Sequence, residues 1–324
     1  MPIEAKPERT VASWLGASLA AVVACSWAAA AAGLFGVWLA GQVFRDRTRL
    51  TDLCFLIPTL WIITGLLLAA VLARLCKSRR VAWGAAILAL PPAVALLFVE
   101  NRWIRPAEPA SVGQRLRLVH WNVCCIKRTF AEKAQRLKPL DADIYVLTEV
   151  FRETDLQMLL KVLGPEYRVY QVRQLAVFAR GRVALERAEE RIRHRGYLVH
   201  WDSRAGPVHL FMVDLPTQPI YDVNPVLEQV REHITQLEPD FVVGDFNVSR
   251  RTRALSNLPK GYSHAYYRAG AGWSYTWPAP FPLWDIDQCI LGPRIQPLRY
   301  SLISTGLSDH RIQVLDFAVA PARE

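Results

Sequence analysis

The chain has 324 residues, a formal net charge of +10 and 52% hydrophobic side chains. That length holds one large domain or two smaller ones. Neither charge nor apolar content is spread evenly: residues 1–99 hold 13 charged side chains and residues 100–324 hold 55. This excludes a chain that meets one solvent throughout, and no internal repeat or low-complexity segment is present.

The first hundred residues read as membrane-embedded. Charge is absent between Arg9 and Arg45, between Asp52 and Arg74, and between Arg80 and Glu100, gaps of 35, 21 and 19 residues. About 20 apolar residues cross a bilayer core, so the pattern predicts three transmembrane helices within residues 11–99. Trp14, Trp38 and Trp61 lie toward the ends of these runs, as interfacial aromatics do. The competing reading is a signal peptide followed by buried core helices. Pro91 and Pro92 should kink the third helix. No acid or base sits within the runs to suggest a transport path.

Three crossings put the amino terminus and the large domain on opposite faces. The basic Arg74–Arg80 loop favours a cytoplasmic amino terminus. The expectation is therefore a multi-pass protein of the cell membrane with residues 105–324 outside the cytoplasm. The six cysteines show neither metal nor disulfide spacing. Cys124, Cys125 and Cys289 fall in expected core strands and act as small hydrophobes.

Residues 101–114 read as a polar, proline-containing linker. Strands and helices then interleave over residues 115–324. "LRLVHWNV" alternates, and "DIYVLTEV" is a short buried run. Residues 130–139 and 153–163 have helical spacing. "YRVYQV" and "LAVFAR" form a strand pair, and "PVHLFMVDLP" is another strand. Residues 224–238 form a helix with Pro225 in its first turn. "FVVGDFN", "IDQCIL" and "IQVLDFAV" complete the set. The order suggests two packed sheets flanked by helices.

Polar residues recur at these strand ends: Asn122, Glu149, Asp245, Asn247, Asp287, Asp309 and His310. One such residue is ordinarily a cap or a solvated loop group. An ordered series converging on one sheet rim makes an oxygen-rich site of the type that holds Mg²⁺ or Mn²⁺.

In that order, "WNV", "DADIYVLTEV", "GDFN", "TWP…IDQCIL" and "SDHR" resemble the endonuclease/exonuclease/phosphatase superfamily, over residues 115–318. The resemblance is to bacterial membrane members with a short multi-helix anchor. It implies a four-layer α/β/β/α sandwich, deoxyribonuclease I-like, that hydrolyses a phosphoester with metal assistance. Carried over, Glu149 binds the divalent metal with help from Asn122 and Asp309. Asp245 orients or deprotonates the attacking water. Asn247 positions that water and a phosphate oxygen. His310 donates to the phosphate, and Asp287 keeps His310 protonated. Two positions depart from the pattern: Asp214 stands where the family has a phosphate-contacting histidine, and Gln288 where relatives often have histidine.

Arg250 and Arg251, with Arg253, either meet a polyanionic substrate or form a solvated loop. The aromatic stretch "GWSYTWPAPFPLW", residues 272–284, is a substrate wall, a lipid-touching surface or simply a packed proline-rich loop. Asp285 is a supporting acid or an exposed one. The run "RVALERAEERIRHR" reads as a solvated strand or helix face. The substrate is a nucleic acid, a lipid or a small phosphoester, and no obligate protein partner is evident. A domain charge of +5 does not force DNA binding. A catalytically inactive scaffold, with Asp214 marking decay, is the remaining alternative, and the retained acidic and histidine residues speak against it.

Overall fold

A computed structural model describes residues 11–109, 113–124, 129–186, 196–217 and 222–320. The expectations on Cys125 and on most of the charged run after Glu186 lie outside the described residues, as does the side chain of Trp14. The chain divides into two compact units, Met1–Glu100 and Asn101–Glu324.

The first unit is helical: α1 (Val11–Phe44), α2 (Arg49–Leu56), α3 (Thr59–Leu75), α4 (Arg79–Leu88) and α5 (Leu90–Ala95), closed by a π-turn over Leu96–Glu100. Two stretches are long and apolar enough to cross a membrane, Ala20–Phe44 and Arg79–Glu100, with mean hydropathies of 1.9 and 2.1. The middle one differs from the straight helix expected. Pro58 follows the extended Ile57, because the residue before a proline is pushed out of the helical region. The result is two helices, α2 and α3, bent by 73°. Among the described residues the count is thus two spans, or three if the bent pair is one. The Pro91–Pro92 pair likewise ends α4 at Leu88 and opens α5 with proline in its first turn. Leu68, Val71, Trp83, Leu90 and Phe98 point outward, which suits an apolar solvent. Glu100 is buried and accepts from Thr59 Oγ1 at 2.6 Å.

The second unit is a two-sheet sandwich. Its strands are β1 (Leu116–Asn122), β2 (Ile144–Thr148), β3 (Tyr167–Val172), β4 (Leu175–Arg180), β5 (Arg182–Glu186), β6 (Gly196–Ser203), β7 (Gly206–Asp214), β8 (Phe241–Asp245), β9 (Ser263–His264), β10 (Asp287–Leu291), β11 (Ile295–Ile303) and β12 (Ile312–Val319). They pair as β11-β12-β1-β2-β4-β3 and as β5-β6-β7-β8-β10-β9. Each sheet has one parallel pair, β1–β2 and β7–β8. The helices are α6 (Phe130–Leu137), α7 (Glu153–Leu163), α8 (Asn224–Leu237), α9 (Arg253–Ser256) and α10 (Ala265–Ala269).

Alternation along the strands assigns the faces. Leu116, Leu118, Ile144 and Val146 of one sheet meet Leu210, Met212, Phe241, Val243, Cys289 and Leu291 of the other in a shared core. Val119, Trp121, Tyr145 and Leu147 face α6 and α7. Phe211, Val213, Val242 and Ile290 face α8 and α9. The layers are therefore α/β/β/α.

Three strands went unread in the sequence, β6, the two-residue β9 and β11. β11 contains Pro297, and its register with β12 shifts between Pro297 and Arg299, so a proline is tolerated at the irregularity. The stretch from 101 to 114 is also not slack at its start. Asn101 Oδ1 accepts from Ser274 N–H at 2.8 Å, and Gly272 N–H donates to the Arg102 carbonyl at 2.5 Å.

Candidate active site

The alternation that builds the shared core also places the site. Asn122 continues the parity of Leu116 and Leu118, Asp214 that of Leu210 and Met212, Asp245 that of Phe241 and Val243, and Asp287 that of Cys289 and Leu291. Each inner face thus changes from apolar to polar at one end. Asp214 pairs in register with Asp245, and Asp245 with Asp287. Three carboxylates therefore stand side by side across β7, β8 and β10, all buried.

Gly244 makes this arrangement possible. Its φ is 153°, and a Cβ there would lie 1.8 Å from the Val213 carbonyl oxygen. No side chain fits. Immediately after, Asp245 Oδ1 accepts from the Asn247 N–H at 2.9 Å. Asn247 takes φ 52° and Glu149 φ 60°, a region that non-glycine residues rarely occupy and that gathers at functional sites.

Asn122 ties the sheets together. Its Nδ2 donates to Glu149 Oε1 and to Asp245 Oδ2, both at 2.9 Å. Asn247 Nδ2 donates to the Leu215 carbonyl at 2.8 Å. His310 Nδ1 bonds Asp287 Oδ2 at 2.9 Å, and its Nε2 lies 3.9 Å from Asp245 Oδ2. Ser308 Oγ donates to the Asn122 carbonyl and accepts from the His310 N–H. Trp277 Nε1 donates to Asp309 Oδ2 at 2.9 Å.

The electrostatics follow from burial and pairing. Burial alone lowers His310, but the Asp287 carboxylate lifts it to about 10, so it is an imidazolium. Burial pushes Asp287 up, yet the charge and hydrogen bond of His310 outweigh this and hold it low. Burial first, then the Asp287 charge, push Asp245 up to about 8.

Ligand atoms of Asp245, Asp287 and His310 lie within 4.8 Å of one another. Distance alone would let them hold an ion, but a protonated His310 bonded to Asp287 has no lone pair to give. The Asn122–Glu149–Asp309 side fits a hard cation better. Glu149 and Asp309 are half-buried, and both act on the intervening Cys124. Burial, then the hydrogen bond that the thiol donates to Glu149, push it up to about 12. Glu149, Asp309 and the Asn122 side-chain oxygen supply hard oxygen donors, as Mg²⁺ or Mn²⁺ prefers.

One expectation needs correction. Arg250 is neither a substrate contact nor part of a solvated loop. It is 3% exposed, paired with Asp285 at 3.0 Å and stacked 4.5 Å over the Tyr266 ring. Asp285 is correspondingly buried, not exposed. A charge this deep persists only with a partner. Arg251 is half-buried, its N–H held by Ser249 Oγ. Gln288 has the outward parity of Ile290, so the substitution there does not face the acids. Its Nε2 bonds the Val248 and Asp285 carbonyls. Sequence reasoning missed Ser308 and Cys124 at the site, although Ser308 is the first letter of the "SDHR" motif.

A two-sheet sandwich with a buried acid–imidazole–acid set at one rim defines a class of phosphoester hydrolases. The Endonuclease/Exonuclease/phosphatase family model matches residues 119–310, and the chain belongs to that family, whose norm is dependence on a divalent metal. Comparison with curated proteins found no match. Among solved structures, Danio rerio TDP2 complexed with single-strand DNA product is similar at 18% identity and TM-score 0.51, covering 63% of this chain and 99% of that one. An endonuclease/exonuclease/phosphatase from Bacteroides vulgatus is similar at 17% and 0.51, covering 64% and 99%. One from Beutenbergia cavernae gives 17% and 0.50, covering 64% and 72%.

Proposed function

We propose that the protein is a membrane-anchored phosphoester hydrolase, nuclease-like in its chemistry, that works with Mg²⁺ or Mn²⁺. The carrying observation is the hydrogen-bonded line from Asp287 through His310 toward Asp245, cross-braced by Asn122 to Glu149.

Glu149, with Asn122 and Asp309, would hold the cation, which when bound polarises a phosphoryl oxygen. Asp245, pushed up to about 8 by its buried surroundings, accepts a proton from water in its ionised form, whose share grows as pH rises toward and past that value. The Asn247 N–H fixes one Asp245 oxygen, so the base is aimed before substrate arrives. His310 presents its Nε2–H to the charge that develops on phosphate, with Asp287 fixing ring and proton. Asp214 stands beside Asp245 and would repel phosphate unless a cation lies between. Arg251 remains a candidate substrate contact, and Arg250 is withdrawn.

Nucleic acid is the first substrate class; the Danio rerio structure holds a DNA product. A lipid-borne or small phosphoester is the second. It is favoured by the apolar Arg79–Glu100 stretch that directly precedes the hydrolase unit. The deciding experiment assays the full chain in detergent on DNA, RNA, phospholipid and bis-p-nitrophenyl phosphate, with Mg²⁺, Mn²⁺ or EDTA. Hydrolysis of any of them that EDTA abolishes is the expected result. No hydrolysis with any metal would favour the inactive-scaffold reading.

A further inference from the structure

The residues that follow the last apolar stretch are built directly into the hydrolase unit. Arg102 N–H donates to Tyr266 Oη at 2.6 Å, and its guanidinium reaches the Tyr267 carbonyl. Asn101 and Arg102 also bond Ser274 and Gly272. These are the first residues of the aromatic loop 272–284. Within it, Trp273 Nε1 donates to the Pro282 carbonyl at 2.8 Å. Midway along it Trp277 bonds Asp309, and Ala279 N–H donates to the Asp309 carbonyl at 2.6 Å. One loop is thus fastened both to the start of the unit and to a residue of the site.

Its tip is apolar and unburied. Phe281 is 82% exposed, and Ile104, two residues past Arg102, is 87% exposed. Pro278, Pro280 and Pro282 restrict the backbone on either side of Phe281, so holding it outward costs little entropy. Trp103, beside Ile104 in the chain, is 52% exposed, so three large apolar side chains present area that a partner surface would cover.

We infer that the loop 272–284, with Phe281 and Ile104, is a bilayer-contacting surface that holds the site against phosphoesters at the membrane face. The occupant is the lipid surface itself. Chain length argues for it: Arg102 follows Glu100, the end of the apolar stretch, by two residues. Two residues reach at most about 7 Å, roughly the depth of one headgroup layer. The inference rests on the membrane anchoring proposed above.

The test places photoreactive p-benzoylphenylalanine at position 281, or at 104, of the full chain in phosphatidylcholine–phosphatidylglycerol vesicles. Position 158 on α7, where Met158 is 40% exposed, serves as control. Position 281 should give roughly tenfold more lipid adduct than 158, as expected for a side chain that partitions into the interface. If alkaline carbonate retains the chain but neither 281 nor 104 exceeds 158, the surface is wrong and the anchor stands. If carbonate releases the chain, anchor and surface both fail. Adducts at 281 to a second copy of the chain would overturn the lipid as occupant.

Discussion

Arg250 shows how much a single residue's role depends on a distant partner. In the sequence it heads a basic cluster that reads as surface. Asp285, 35 residues away, and the Tyr266 ring decide otherwise. Arg250 joins the segment after Asn247 to the segment before Asp287, two of the site residues. Arg250→Ala leaves Asp285 buried and uncompensated, which costs about 3–5 kcal/mol. Denaturant unfolding of the full chain in detergent should show that loss. A raised KM with unchanged stability would restore the substrate-contact reading. At the site, Asp287→Asn should cut kcat by about 10²–10⁴ and, because it removes the partner of the buried His310 imidazolium, also lower the unfolding midpoint. The strand-end residues were legible because parity carries them inward with the core. Ser308 was not, because its work is done through hydroxyl bonds to carbonyls of another strand.

At the scale of elements, most strands and helices follow from periodicity, and the failures have local causes. β11 hides behind Pro297, and the middle apolar run breaks at Pro58. β6 follows directly on a charged run that masked its start. The short β9–α10 corner carries a consequence for acid stability. His264 is buried, its Nε2 bonds the Leu255 carbonyl, and its Nδ1 has no partner. Burial lowers its pKa to about 4, against about 6.5 in an unfolded chain. The fold therefore favours the neutral ring. Its stability is complete above pH ~6.5 and falls as pH drops toward 4, by on the order of 3 kcal/mol. His264→Gln keeps a donor for Leu255 and should flatten that part of the curve, read as Tm against pH between 7 and 4.5. Equal slopes in both proteins would show that His264 is not the titrating group.

For the whole molecule, the sequence's uneven charge marks a helical unit ahead of a sandwich, because each needs a different solvent to bury its apolar surface. What charge counting barely decides is the side of the membrane. With a cytoplasmic amino terminus and three crossings, a reporter active only outside the cytoplasm should be active when fused to the carboxyl terminus. An inactive but well-expressed fusion would reverse the assignment. Two crossings would do the same, since only an odd number puts the termini on opposite faces. We propose that the rim where both sheets turn polar is a metal-assisted phosphoesterase centre. This is tested most directly by titrating Mg²⁺ into the full chain and Glu149→Gln while following bis-p-nitrophenyl phosphate hydrolysis. Saturable, Mg²⁺-dependent turnover is expected in the parent. The variant should fold like the parent, bind Mg²⁺ more weakly and lose at least about 10² in rate. Turnover by Glu149→Gln equal to the parent's at every Mg²⁺ concentration would contradict it.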